Sequence, residues 1–264
     1  MNPFVSEQLI LSAIERPAFL YSGVRKILQD VTWVCPWSEF KHDLTYARLG
    51  YGKNKAKQLD RNYINPAEFN RIRQILDKRK DHQFTSVAML MRGGEKDSRS
   101  MGWCMLNTII TSGPKLPTTV EVQYRSTELI LKFGADLVFL QELLTQRLGV
   151  EPDVIRFRFA NAYLSGVFFP TFCRFHDPID FLELLWKKDR KLFAGGTRFF
   201  LRSTYKKNQS FPYSPENQQH KFLWSHFSPG EIHRIRDYLH EKHVKIGKPL
   251  PNVHHPLETD DGEL

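Results

Sequence analysis

Thr118-Thr-Val-Glu-Val-Gln-Tyr-Arg-Ser-Thr-Glu128, followed by Phe133-Gly-Ala-Asp-Leu-Val-Phe-Leu-Gln-Glu-Leu-Leu-Thr-Gln-Arg-Leu-Gly149, sets a β-rich run just ahead of a helical one. Thr118 to Tyr124 is short, β-branched and aromatic, and the turn residues Ser112-Gly-Pro-Lys115 bound it upstream, which predicts a strand. Phe133, Leu137, Leu140, Leu144 and Leu148 recur at three- and four-residue steps and stop at Gly149, which predicts a core helix. Outward from this pair, further helices are expected from Pro66 to Lys80, from Pro178 to Lys188, and from Ser228, an N-cap ahead of Glu231, to about His243. Further strands are expected at Phe84 to Met91, Trp103 to Thr111, Val154 to Leu164 and Thr197 to Ser203. The mix predicts an α+β fold, a mixed or antiparallel sheet covered by helices in a single domain.

A chain of 264 residues with 41% hydrophobic content can bury a sizeable core without disulfides or metals. We expect one domain over residues 1–246 and a loosely ordered, acidic, proline-containing tail over 247–264. No apolar run approaches the length of a membrane span, and the first residues lack the pattern of a secretory signal, so no membrane association and a cytoplasmic location are expected. Cys35, Cys104 and Cys173 are odd in number and far apart, which predicts three free thiols rather than a disulfide framework or zinc knuckle. The net charge of +9 favours a polyanionic partner, although a merely basic surface reads the same way. Basic residues cluster at Lys53-Asn-Lys-Ala-Lys57, Arg71 to Lys80, Lys187 to Lys191 and Arg198 to Lys207, the last interleaved with aromatics, which suits nucleic acid and half-buried strands alike.

The chemistry-bearing residues fall in one order: Cys104, then Arg125-Ser126, then Asp136, then Asn161-Ala-Tyr163. Taken singly, each has a plain structural reading. Cys104 suits a small buried hydrophobe, Arg125 to Glu128 a strand exit and helix cap, Asp136 a solvated helix face, and Tyr163 a sheet aromatic. It is the joint order that points to a site. No GxSxG, HExxH or P-loop is present, the histidines are scattered, and no metal set is expected.

That order resembles the thymidylate synthase superfamily, whose core runs from a Pro-Cys-His nucleophile through Gln-Arg-Ser-x-Asp and Pro-Phe-Asn to His-x-Tyr. Tyr51-Gly-Lys53 is similar to the family's Tyr-Gly-x-Gln-Trp, so the resemblance spans roughly Gly50 to Tyr163. It implies a thymidylate-synthase-like catalytic domain, usually a homodimer. Cys104 would be a thiolate, lowered in pKa by nearby positive charge, that adds to C6 of a pyrimidine and so activates C5. Arg125 and Ser126 would hold phosphate. Tyr163, helped by Asn161, would bind the sugar hydroxyl, and Tyr51 would order water near the base.

The departures narrow the implied substrate. Asp136 replaces the Asn that pairs with uracil; a carboxylate there is what the family's deoxycytidylate hydroxymethylases carry, since it accepts from a cytosine amino group. A protonated Asp136 serves a uracil-type ring if burial raises its pKa. The family's early Arg-Thr-Gly loop has no counterpart, only about fourteen residues precede Glu15, the one acid spaced for the family's catalytic Glu, and Met105 follows the nucleophile in place of His. With a reduced phosphate clamp and a basic surface, the pattern is most similar to viral (bacteriophage) amino acid:DNA transferases of thymidine hypermodification, a DNA modification that would serve restriction evasion. The implied partners are DNA and an amino acid co-substrate, in the host cytoplasm, with no cofactor. The alternatives are a deoxycytidylate hydroxymethylase or methylase that uses methylene-tetrahydrofolate, and a non-enzymatic nucleic-acid-binding protein.

Overall fold

A computed structural model describes residues 5–42, 52–79, 82–91, 104–173, 176–203, 227–245 and 247. Tyr51, Trp103, Thr204 to Lys207 and the expected tail beyond Gly247 lie outside the described residues. In chain order the elements are α1 (Val5–Glu15), β1 (Leu20–Ser22), β2 (Arg25–Pro36), α2 (Trp37–His42), α3 (Lys53–Tyr63), α4 (Pro66–Arg79), β3 (Thr85–Leu90), β4 (Met105–Gly113) and β5 (Leu116–Glu128). There follow α5 (Lys132–Gln141), a π-helical segment (Glu142–Arg147), β6 (Val154–Ser165), α6 (Phe169–Phe172), α7 (Pro178–Lys188), α8 (Arg190–Ser203) and α9 (Pro229–Lys245).

The fold is α+β. Six strands form one sheet in the order β1-β2-β6-β5-β4-β3, antiparallel across β3, β4 and β5 and parallel between β5 and β6, so the sheet is mixed. The described residues divide into two compact units. One takes in the chain up to Leu20 and Ile27–Leu164; the other takes in Tyr21–Lys26 and the chain from Ser165 onward.

In the first unit, alternation decides which sheet face is covered. Val120, Val122 and Tyr124 of β5 are buried, and their parallel partners Ile155, Phe157 and Phe159 of β6 are buried with them. Phe133 of α5 lies edge-on to this face, its ring 5.1 Å from Phe157, 5.2 Å from Phe159 and 5.8 Å from Tyr124. Because α5 is buried from Phe133 through Leu140, packing holds this helix rather than local propensity. Phe133→Ala would cost about 3–5 kcal/mol.

The expected stop at Gly149 is found, but the helix changes character before it. From Glu142 to Arg147 the backbone takes the wider π turn; Leu148 N–H donates to Leu143 carbonyl oxygen at 3.0 Å, and Thr145 Oγ1 donates to Gln141 carbonyl oxygen at 2.7 Å. Gly149, at φ +66°, takes the left-handed conformation while Val150 N–H closes on Leu144 at 2.8 Å.

In the second unit, α7 begins at Pro178 as expected, and the Asp177 side chain caps it by accepting from the backbone N–H of Ile179 at 2.8 Å and Asp180 at 3.2 Å. At α9, Glu231 N–H donates to Ser228 Oγ while Ser228 N–H donates to the Glu231 carboxylate, a reciprocal capping box. Thr197 to Ser203 departs from expectation: it is the second half of helix α8, not a strand. The β-like composition of that run is overridden because Phe193, Thr197 and Phe200 are buried on one helical stripe. Gly196, which looks like a breaker ahead of the run, is a packing contact; a Cβ there would lie 2.5 Å from Phe169 Cε2. Deeper in this unit the buried pair Lys26 and Asp189 meets at 2.8 Å, and Tyr21 OH and Leu192 N–H each donate to Asp189 at 2.8 Å.

Candidate active site

Cys104 stands just before β4, half-buried, and its carbonyl oxygen accepts the backbone N–H of Arg125 at 2.7 Å. That bond ties the expected nucleophile to the expected anion-binding segment. Along the parallel β5/β6 pair, Ser126 is in register with Asn161 and Glu128 with Tyr163, so these side chains stand on neighbouring strands about 4.8 Å apart. Leu129 N–H donates to Tyr163 carbonyl oxygen at 3.0 Å and extends the pairing past Glu128. Of the residues singled out in the sequence, Arg125 and Asp136 each come within electrostatic range of Cys104, and Ser126, Asn161 and Tyr163 follow directly along the strands. Tyr51 lies outside the described residues, and Glu15 ends α1 exposed.

Glu128 is a buried hub rather than a surface ion-pair partner. Its carboxylate accepts the backbone N–H of Ile130 at 3.1 Å, of Leu131 at 2.7 Å and of Lys132 at 3.4 Å. A carboxylate on the free N–H groups at the start of α5 satisfies orphan donors and complements the helix dipole. Since α5 carries Asp136 one turn on, Glu128 fixes where Asp136 sits.

Asp136 is buried, not a solvated polar position, and desolvation raises its carboxyl pKa to about 7; Lys55 and Lys132 nearby pull the other way. Among the described residues it has no hydrogen-bond partner to hold it ionised. At neutral pH it therefore exists in both protonation states.

The expectation of a lowered thiol pKa at Cys104 is corrected. Burial and the Asp136 charge push it up, while Lys132, Arg125 and Lys55 oppose them without prevailing. The free protein thus holds mostly thiol at neutral pH, and protonating Asp136 or binding a ligand that neutralises its charge would favour the thiolate.

Spacing along the chain did not expose two tyrosines. Tyr63 of α3 is buried; the N–H groups of Met105 and Cys104 hydrogen-bond its oxygen, yet burial together with Asp136 and Cys104 raises its pKa far above the ordinary tyrosine value. Tyr124 is fully buried, its pKa is raised by burial and by Asp136, and its hydroxyl has no hydrogen-bond partner among the described residues. Leaving a buried hydroxyl unmatched costs about 1–3 kcal/mol, so a ligand that supplies a partner recovers that cost on binding. Lys55 and Lys132 were also missed, although Lys132 precedes Asp136 by one helical turn, a spacing visible in the sequence. Among the described residues no three His, Cys, Asp or Glu group to hold a metal ion, and no helix is long and apolar enough to cross a membrane.

No family model matches the chain, and no curated protein matches it. Among solved structures, thymidylate synthase from T4 phage aligns with 60% of this chain and 75% of its own, at 12% identity and a TM-score of 0.42.

Proposed function

We propose that this chain is a transferase that modifies C5 of a pyrimidine through a covalent bond between Cys104 and C6, acting on 5-phosphomethyl-deoxyuridine in DNA and joining an amino acid to it. The observation that carries the reading is the pairing of a half-buried thiol with a buried carboxyl whose pKa is about 7. A protonated Asp136 presents one O–H donor and one carbonyl acceptor, the pattern an amide presents, and this matches O4 and N3–H of a uracil-type ring. Tyr124 and Tyr63 line the same locus with hydroxyls suited to the ring's polar edge. The net charge of +9 suits a polymer substrate held by its phosphates. The base would leave the stack at a cost of a few kcal/mol, repaid by these contacts.

Nucleoside analysis by mass spectrometry tests this, after phosphomethyl-uracil DNA is incubated with the protein and an amino acid pool. The expected outcome is a mass-shifted nucleoside; no adduct with any amino acid would overturn the reading.

A second reading, a folate-dependent deoxycytidylate hydroxymethylase or methylase, is favoured by the ionised form of Asp136, which accepts from a cytosine amino group. It requires tritium release from C5 of labelled deoxycytidylate with methylene-tetrahydrofolate. A nucleic-acid-binding protein without chemistry differs from both in being indifferent to Cys104→Ser.

A further inference from the structure

Two lysines at the site have no part in the mechanism so far. Lys55, Leu59 and Tyr63 recur at four-residue steps on α3, and the last two are buried, with the Tyr63 ring 5.7 Å from Phe139 of α5. On α5, Lys132 and Asp136 are likewise one turn apart on one face. Two packed helices therefore each bring a lysine toward the carboxyl and the thiol. Both lysines are within electrostatic range of Asp136 and of Cys104.

Among the described residues no carboxylate lies within ion-pairing distance of either, and the Lys55 ammonium meets only the Gln58 side-chain oxygen at 3.5 Å. Two cations without a carboxylate partner among the described residues, beside a neutral thiol and a half-protonated carboxyl, leave a locus of positive charge. Its complement is an anion.

We propose that Lys55 and Lys132 form a subsite for a phosphate monoester dianion borne on the exocyclic carbon of the pyrimidine, distinct from the Arg125–Ser126 segment. The identity of the substrate rests on the transferase reading; the anion subsite itself does not. In the step it serves, the Cys104 thiolate spends its electron pair on a C–S bond at C6, the C5=C6 double bond opens and its π pair moves onto C5. That pair then forms an exocyclic C=C bond as the carbon–oxygen bond to phosphate breaks, and the departing oxygen takes the electrons. An amine then adds to the methylene carbon and loses a proton, and the pair returned to C5 re-forms C5=C6 as the thiolate leaves. Nothing is oxidised or reduced. Lysine ammonium groups at the departing phosphate neutralise charge where it develops.

The test is the rate of iodoacetamide alkylation of Cys104, followed by peptide mass spectrometry on the full chain with and without inorganic phosphate at constant ionic strength. Bound phosphate should slow alkylation about tenfold, the loss of thiolate that one pKa unit represents. The effect should vanish in K55Q/K132Q and persist in K55R/K132R, which keeps the charges and controls for folding. Absence of protection in the wild type overturns the proposal, as does protection that survives in K55Q/K132Q or that acetate supplies equally well. If phosphate protects but phosphomethyl-uracil DNA gives no adduct, the subsite stands and the transferase reading falls. If K55Q/K132Q forms adduct at the wild-type rate, the subsite falls and the transferase reading stands.

Discussion

Asp136 and Asp189 are both buried aspartates, one in each compact unit, and their surroundings are opposite. Asp189 receives three donors, from Lys26, Tyr21 and Leu192, each at 2.8 Å. Asp136 has cations within electrostatic range but no donor on its oxygens among the described residues, and beside it stands Tyr124 with a hydroxyl equally unmatched. A carboxylate encircled by donors is finished as a structural anchor. One left with capacity in hand is arranged for something that arrives later.

The proposed mechanism breaks most severely at the thiol it pairs with Asp136. Cys104→Ala should lower transfer by about four orders of magnitude or more in a single-turnover assay, because a nucleophile that acts with its neighbours has no substitute. Retained turnover would remove the covalent mechanism.

Next comes the anchor. Asp189→Ala should cost about 3–5 kcal/mol in urea unfolding, since it removes the buried carboxylate paired with the Lys26 ammonium. The same treatment of Asp136 should do the reverse. Its folded pKa is raised from 3.8 to about 7, so the folded state binds this proton more tightly than the unfolded state does. Its contribution is complete below pH 3.8 and is lost as pH rises through about 7. Asp136→Asn should therefore stabilise at pH 8 by up to about 4 kcal/mol, from some three pKa units at about 1.36 kcal/mol each, and leave stability unchanged near pH 3. Unfolding curves at the two pH values decide it.

Activity draws the same line between the two aspartates. With a uracil-type ring, turnover should rise with pH as the Cys104 thiolate forms and fall as Asp136 ionises near pH 7. In Asp136→Asn the falling limb should disappear; a fall unmoved by the substitution would assign it to another group.

The smallest effect belongs to Tyr124. Tyr124→Phe removes a hydroxyl that has no partner among the described residues and should stabilise the fold by about 1 kcal/mol in thermal or urea unfolding. A loss of stability instead would show that the hydroxyl is satisfied in the free protein.

How far these features could be read along the chain depends on the range of the interactions that make them. Helix α7 was legible because its signals are local: Asp177 caps it, Pro178 opens it and Lys187 and Lys188 close it. Strand β6 was legible because alternation over Ile155, Phe157 and Phe159 is itself a local pattern. The run from Thr197 was misread because its β-like side chains fold as they do only through the stripe shared with Phe193. Helix α3 was read merely as a basic cluster, since so polar a segment offers only Leu59 and Tyr63 to the core. Cys104, Arg125 and Asp136 could be picked out by order, whereas Tyr63 and Lys55 reach the same locus from a separate helix, and spacing along the chain carries no trace of that approach.

The π-helical turn from Glu142 to Arg147 has a reach beyond its own length. A π turn amounts to one residue inserted into a regular helix, and each added residue rotates the downstream chain by about 100°. Arg147 emerges from it aimed at two other helices: its guanidinium holds Asp60 of α3 at 2.6 Å and lies 4.8 Å from the centre of the Phe69 ring of α4. Deleting a single residue here would turn that clamp away while leaving every apolar side chain of α5 in place. Since α3 brings Lys55 and Tyr63 toward the thiol, one surplus residue in a distant turn acts as the set-screw for the candidate site.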